Sequence, residues 1–525
     1  MLFLISFFSG VVFALSCMIP WLMPLAFVAQ APFIALLIKK CEQKIKLRKI
    51  YGLGFINAIG FFVMSWYWFM CTYPLEHLGL TKGQAVLMIC VCWFGLTIMQ
   101  GSTVAFIALD LRLLFTSRKL APIIYALLWM LFEFLMNQTF AGVPFNTVSL
   151  AVCEFLPFIQ SASIFGASFI SFLIVLINGY VALIILDVRE NGFDIKNIKA
   201  PLCTILSIII VNTTLGVVLM GIDKGRDKDE NAFTASIIQA GLTTSEKYFW
   251  TPRESFDSYI LVTKEALEDI DTPADYILWP ETVINTYLLN SPSLLQEFIN
   301  LSAETGSIVL VGTMVYDHEN DLDYNSVLAF YPDGTYEEEG YSKQKLVPFG
   351  EFTPLAGVLG KIIPIIEEIA VSDLTPGPGP QLLETPKGVI GRLICYDSIY
   401  PAISRESAKD GAEVFMLFTN DSWYGDSTEV TQHTRHAVLR AVENGRWCLR
   451  DANSGISALI SPTGEVLDEL GVNERGYLNV TTYTRDNTTI YTLLGDTWIY
   501  INFATLLAFS IYKFVIIKKA KQHNV

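Results

Sequence analysis

The first 220 residues form a succession of long apolar runs separated by short basic stretches, and this pattern restricts the fold more than any other in the chain. Runs at 2–17, 21–38, 51–73, 84–109, 120–136, 162–186 and 201–220 approach or exceed what a membrane-crossing helix needs, about 20 apolar residues. One more lies at 497–517. The first run has no basic stretch before it and is followed at once by others, so an uncleaved span is expected rather than a signal peptide. Residues 140–158 contain Gly142, Pro144 and Asn146 and are expected to form a re-entrant or interfacial segment. Composition agrees: 52% of the 525 residues are hydrophobic, too apolar for an ordinary soluble protein and too long for one domain.

Charge placement orients these runs. Lys39, Lys40, Lys44, Lys46, Arg48 and Lys49 follow the second, Arg112, Arg118 and Lys119 the fourth, and Arg189, Lys196 and Lys199 the sixth. Lys513, Lys518, Lys519 and Lys521 close the last, whereas the loop at 74–81 carries Glu76. Loops that were merely solvated would not alternate in this way. The positive-inside rule therefore places both termini and the basic loops in the cytoplasm, and the stretch near 224–496 outside. The expected domains are 1–223 with seven spans, 224–496 as an extracytoplasmic domain, and 497–525 as a last span and tail. A net charge of −15 argues against nucleic acid as a partner, since that would want a basic face.

The outer stretch reads as one α/β unit. Strands are expected at 235–239, 276–279, 307–313, 326–331, 389–395, 414–419 and 458–460. Helices are expected between them at 252–269, 293–305, 402–410 and 431–444. Pro332-Asp333-Gly334 and Pro462-Thr463-Gly464-Glu465 are hairpin signals, and the whole suggests two sheets with helices. Glu337-Glu338-Glu339 reads as a solvated turn.

Three positions in this unit carry chemistry. The run VIGRLICYDSIY places Cys395 at a strand end, before Pro401 and a helix whose N-terminus would favour thiolate. In ADYILWPETV, Glu281 follows Trp279 and Pro280, where partial desolvation would raise its pKa towards use as a base. In GYSKQKLVPFGEFTP, Lys343 precedes an apolar turn that ends at Glu351. A base, a cation for an oxyanion and a nucleophile are what acyl transfer needs. Against this stands the ordinary fate of a free cysteine, which is burial as a small hydrophobe. Of nine cysteines only Cys395 and Cys448 lie in the outer unit, and Cys448 reads as core, so a disulfide between them is not expected. His433 and His436 share a helix face but lack an evident third ligand, so no metal is expected, and they read as helix surface or pocket lining.

YSKQKLVPFGEFTPL, ICYDSIYP and the long stretch TNDSWYGDSTEVTQHTRHAVLRAVENGRWCLRDANSGISALISPTGEV resemble the nitrilase superfamily and, within it, its membrane branch, the apolipoprotein N-acyltransferases. The resemblance implies a polytopic α-helical membrane domain joined to a nitrilase-like α-β-β-α sandwich. It implies a Glu281-Lys343-Cys395 triad, with Glu351 assisting Lys343 and with Tyr396 and Asp397 behind Cys395. Tyr341 and Glu351 keep the spacing of the family's lysine motif and so select Lys343 over Lys345. Glu443 would be a further carboxylate near the triad, and Trp250 would match the tryptophan of a mobile loop. Three positions depart from the family's pattern: Asp397 where a glutamate is usual, Ala240-Gly241 after Gln239, and Phe145 after Pro144.

The implied reaction moves a fatty acyl chain from a membrane phospholipid to the α-amino group of a diacylglyceryl-cysteine lipoprotein, through a thioester and without a cofactor. The setting would be a bacterial inner membrane, and the protein is expected to act as a monomer. Two rivals share much of the same sequence: a membrane-tethered amidase in which water replaces the amine, and a catalytically dead relative acting as a lipoprotein-binding scaffold. The spans favour the transferase over the amidase, and the intact triad argues against the scaffold.

Overall fold

The computed structural model describes residues 1–75, 79–138, 142–348, 350–352 and 373–522, so that Glu76, Phe140 and Phe349 lie outside the described residues. The chain divides into two compact units. The first comprises Met1–Met70, Leu87–Gly221 and Leu494–Val525, and the second Cys71–Val86 and Ile222–Leu493. The end of the expected third run and the loop after it thus group with the second unit.

The first unit is helical. Among the described residues seven helices are long and apolar enough to cross a membrane: Pro20–Glu42, Leu47–Thr72, Lys82–Leu114, Ala121–Gln138, Ala167–Asn191, Ile195–Asp223 and Thr497–Val515. The expected first span is the shorter apolar helix Leu2–Met18, of 17 residues. It packs closely on Leu47–Ser65 through two glycines. A Cβ on Gly10 would come within 2.0 Å of Asn57 O, and one on Gly60 within 2.2 Å of Phe7 O. Small residues that let helix backbones approach are the usual device where lipid removes the hydrophobic drive between helices. The sixth run is shorter than expected at its start, because Gly166, with φ +80°, separates Ala162–Phe165 from Ala167–Asn191.

Residues 144–165 form only short turns of helix, at Pro144–Asn146, Val148–Val152, Leu156–Ile159 and Ala162–Phe165. Irregular backbone at membrane depth requires protein partners, and buried Glu133 supplies one by accepting from the Val148 N–H and the Trp129 indole at 3.0 Å. The basic loops meet at one end of this unit. Arg118 pairs with Glu42 and Glu190, Lys39 pairs with Glu190, and Lys513 reaches the Leu113 carbonyl.

The second unit is built on two six-stranded sheets. Its strands are β1 (Ala232–Gln239), β2 (Tyr276–Tyr287), β3 (Ile308–Asp317), β4 (Leu322–Phe330), β5 (Tyr341–Ser342), β6 (Leu383–Thr385), β7 (Gly388–Ile394), β8 (Val414–Thr419), β9 (Cys448–Ala452), β10 (Ser457–Ile460), β11 (Val466–Leu470) and β12 (Gly476–Tyr483). One sheet has the order β12-β1-β2-β3-β4-β5 and the other β11-β10-β9-β8-β7-β6. Strand periodicity divides each sheet's side chains between two layers. Ile237, Leu278 and Leu310 meet Ile394, Met416 and Leu449 between the sheets. Ile277, Trp279 and Val309 face the other way, towards Phe256 and Tyr259 of the helix Pro252–Glu268 and Phe298 of Pro292–Thr305. Helices Pro401–Lys409 and Thr428–Asn444 cover the second sheet, which completes the α-β-β-α order. Glu337 is not the solvated turn residue expected. It is half-buried and pairs with the buried guanidinium of Arg392, leaving Glu338 and Glu339 exposed.

Candidate active site

Glu281 lies inside β2 rather than at its end. Register with β3 is broken between Trp279 and Ile284, and Thr282 adopts φ +46°, a rare conformation for a β-branched residue. The kink presses on β3 at Gly312, where a Cβ would lie 2.3 Å from Pro280 O and 2.7 Å from Glu281 Cα. Only glycine fits there. The buried Glu281 carboxylate accepts from Lys343 Nζ at 2.9 Å and from Asn325 Nδ2 at 2.8 Å, both on Oε1.

Lys343 directly follows β5. Its N–H donates to the Asn325 carbonyl of β4, and its own carbonyl accepts from Gly377 N–H, each at 2.8 Å. The 1% exposed ammonium also donates to Glu351 Oε1 at 2.9 Å, so it bridges two carboxylates. Glu351 is fixed in turn by the Val347 N–H on Oε2, at 2.8 Å. Burial pushes the Lys343 ammonium down, but Glu281 and Glu351 outweigh it and hold the group well above the usual lysine range.

Burial also pushes Glu281 up, as its sequence context suggested. The ammonium charges of Lys343 and Lys247 win, however, and hold the carboxyl below its ordinary value. Lys247 carries no signal in the sequence reading. It lies on the short helix Thr244–Phe249, is 6% exposed, and its Nζ donates to the Glu281 carbonyl at 3.2 Å and to Thr282 Oγ1.

Cys395 is the first residue beyond β7 and has φ +45°. Residues Cys395–Ile399 make a 3-10 turn before the helix Pro401–Lys409 begins. That helix therefore starts six residues past the thiol and does not cap it, contrary to the expected thiolate-favouring N-terminus. Burial pushes the Cys395 thiol well above its usual range, with Glu281 adding to the effect and Lys343 opposing it. The resting group is a protonated thiol facing a carboxylate and an ammonium. Cys448 stands apart on β9, buried and unoxidised, and both cysteines are free.

Asp397 ties the cysteine turn to the lysine segment. Its Oδ2 accepts from Tyr341 Oη at 2.8 Å and Ile394 N–H at 3.1 Å. Its Oδ1 accepts from Gln344 N–H at 3.1 Å and Lys345 N–H at 2.8 Å. Burial pushes this carboxyl up to about 6 against the lowering pull of Lys343 and the backbone donors. Buried Tyr396 packs edge-on against Tyr400, with ring centroids 5.4 Å apart.

Beneath the cysteine turn lies a polar network that the sequence reading took for helix surface or pocket lining. His433 and His436 are both buried. His433 Nε2 is 3.1 Å from the Cys395 carbonyl and Nδ1 is 2.9 Å from Asp421 Oδ1. Asp421, Glu429 and His433 approach closely enough to share a cation, but the Arg450 guanidinium already sits 2.7 Å from Asp421 Oδ2.

Two further expected site residues, Glu443 and Trp250, have the following surroundings. Glu443 pairs with Arg440 at 2.8 Å and is ten residues past His433, about 15 Å along their helix. Arg440 links it to the cysteine turn, with Nη1 3.4 Å from the Ser398 carbonyl. Trp250 ends the Thr244–Phe249 helix and packs on the helix-covered face of the first sheet. The neighbouring exposed aromatic is Phe249, which lines a pocket with Thr244, Ser245, Ser422, Trp423 and Tyr73.

A buried carboxylate–lysine–carboxylate bridge beside a cysteine on a strained strand end, set between two stacked sheets, defines a carbon–nitrogen hydrolase domain, and residues 234–491 match the family described as Carbon-nitrogen hydrolase. Residues 9–180 match a second family, the Apolipoprotein N-acyltransferase N-terminal domain. With these two matches covering the sheets and most of the spans, the chain belongs to the apolipoprotein N-acyltransferase family. It is 27% identical over 505 residues to the Apolipoprotein N-acyltransferase of Geobacter metallireducens, covering 94% of this chain and 92% of that one. Over 402 residues it is 28% identical to the protein of that name from Haemophilus influenzae, covering 75% of each. It is also similar to the solved structure of the NitN amidase from Nesterenkonia sp., at 18% identity and TM-score 0.39, over 52% of this chain and 99% of that one.

Proposed function

We propose that this acyltransferase moves a fatty acyl chain from a membrane phospholipid to the α-amino group of a diacylglyceryl-cysteine lipoprotein, by way of a thioester on Cys395. The observation that carries the reading is the ammonium of Lys343 held between Glu281 and Glu351 beside the half-buried thiol of Cys395. Glu281 takes the Sγ proton as sulfur attacks the ester carbonyl of the donor. The oxyanion so formed is met by the Lys343 ammonium, a donor in place before the reaction begins. Collapse breaks the ester C–O bond, and the departing lysophospholipid oxygen receives the proton from Glu281. In the second half the α-amine attacks the thioester carbonyl and Glu281 takes a proton from nitrogen. Collapse then returns that proton to the leaving Cys395 sulfur, and an amide remains.

The two carboxylates divide the work. When Glu281 is protonated it no longer balances Lys343, and Glu351 remains as the counter-ion that keeps Lys343 charged. The sheet-bearing unit lies on the extracytoplasmic face of a bacterial inner membrane in this proposal, with the basic loops inside. The 29-residue helix Ile195–Asp223, about 44 Å long, is sufficient to carry the chain from that basic end across the bilayer. The protein is proposed to act as a monomer.

Mass spectrometry of the Cys395 peptide tests the reading. Incubation with phospholipid should add one acyl mass to that peptide, and a diacylglyceryl-cysteine peptide should then remove it and appear acylated. Loss of the acyl mass to water without an acceptor would identify a hydrolase, and no acyl mass at any time would sink the mechanism.

A further inference from the structure

We propose that Lys247 is a positioning residue for the general base, holding the kinked Glu281-Thr282 backbone in place and supplying the site with a second positive charge; this rests on the Glu281–Cys395 chemistry proposed above. Lysine is among the side chains least often buried without a partner, and this one is 6% exposed. Among the described residues its ammonium makes no ion pair with a carboxylate side chain. It donates to the backbone carbonyl of Glu281 at 3.2 Å and to the hydroxyl of Thr282. Both lie in the stretch between Trp279 and Ile284 where β2 leaves its regular register with β3, and Thr282 is the one with φ +46°.

The kink is therefore held from two sides. Gly312 admits the Pro280–Thr282 backbone from β3, where any Cβ would collide with it. Lys247 holds the same backbone from the Thr244–Phe249 helix. That helix is itself anchored, by a capping box between Thr243 and Glu246 and by the Thr244 hydroxyl on the Ser422 carbonyl at 2.8 Å. A strained backbone conformation persists only where its surroundings over-determine it, and here they fix the direction in which the base points.

The charge of Lys247 acts on the same atoms. The groups that face it are Glu281 on β2, Cys395 after β7, Lys343 after β5, and Glu351. With Lys247 the site carries two carboxylates and two ammoniums while Cys395 is a thiol. When the thiol ionises, the added negative charge is opposed by two cations instead of one. Burial lowers the Lys247 pKa to about 8, although Glu281 and Cys395 pull it upward. Its charge is thus present below about pH 8 and fades above it, and thiolate formation loses that support as pH rises.

Alkylation of Cys395 by iodoacetamide in the full-length detergent-solubilised protein, followed by mass spectrometry at the Cys395 peptide from pH 6 to 9, tests this without any lipid. In the wild type the rate should climb with pH and bend downward near pH 8. Lys247→Met should slow alkylation at pH 7 by about tenfold or more and lose the bend. Lys247→Arg keeps donor and charge, so it should retain most of the rate and also lose the bend. Wild-type rates in Lys247→Met across the range would overturn the proposal. So would equal slowing in both variants with the bend retained, which is what a purely structural role gives. Failure of the acyl-transfer reading shows separately, as wild-type protein that alkylates normally yet gains no acyl mass from phospholipid.

Discussion

Lys343 and Lys345 lie two positions apart and have opposite environments. In an extended segment both would point the same way. The chain instead turns at Gln344 and Lys345, because their N–H groups converge on Asp397. Lys343 is left inside between two carboxylates, and Lys345 outside, over the ring of Tyr400 at 5.3 Å. If Lys343 meets the oxyanion, Lys343→Ala should slow single-turnover thioester formation at saturating phospholipid by about 10²–10³-fold. Lys343→Arg should rescue poorly, since a planar fork does not replace a compact ammonium between two carboxylates. Lys345→Ala should change apparent lipid affinity at most. Near-normal acylation in Lys343→Ala, with collapse in Lys345→Ala, would reverse the assignment. Residue types were legible from the sequence at Glu281, Lys343 and Cys395, where short motifs carry them. The direction in which Glu281 shifts was not, because it depends first on how closely the fold brings Lys343 and then on Lys247, which lies 34 residues away in sequence and shows nothing in its own context. Asn325 was hidden for a similar reason: strand pairing alone brings it to the two carboxylates.

At the scale of elements, the cysteine turn depends on Asp397. Four donors reach its two oxygens, three of them backbone N–H groups from both sides of the site. Asp397→Asn replaces one acceptor oxygen with an NH2 group that faces donors. Leaving buried donors unmet costs about 1–3 kcal/mol, and it frees the Gln344–Lys345 backbone that turns Lys343 inward. The expected result is a lower unfolding temperature in detergent together with acylation slowed at least tenfold, while Cys448→Ala, a change in β9, keeps most activity. Normal acylation in Asp397→Asn would show that the lysine segment holds its shape without this anchor. The elements themselves were unevenly legible. β8 matches its expected span of Val414–Thr419, since six buried residues in a row leave little choice. β2 runs eight residues past its expected end, because Pro280 reads as a strand breaker and is tolerated here at an irregular stretch. β12 escaped notice because its partner is β1, more than 200 residues earlier, and one of its three buried positions, Leu478, Val480 and Thr482, is polar.

At the scale of the whole molecule, the expected sandwich is present, seven of the eight expected spans are helices long and apolar enough to cross a membrane, and what the sequence marks most plainly is the alternation of basic and non-basic loops. That signal is physical, since Lys and Arg near span ends resist transfer across the membrane. In the helical unit the side chains that create it converge: Lys39, Glu42, Arg118 and Glu190 form one network at one end. A single inserted orientation then fixes the side of every loop. Lys46 sits in the basic loop and is exposed, and Glu338 is exposed in the sheet-bearing unit. In a background from which the nine native cysteines have been removed, Lys46→Cys should resist a membrane-impermeant maleimide in intact cells and react once the membrane is opened. Glu338→Cys should react once the reagent reaches the outer face of the inner membrane, before that membrane is opened. Labelling of Lys46→Cys under the closed condition would invert the proposed topology. It would also leave the acyl-transfer site on the cytoplasmic side, where the thioester chemistry could stand but its proposed extracytoplasmic setting could not.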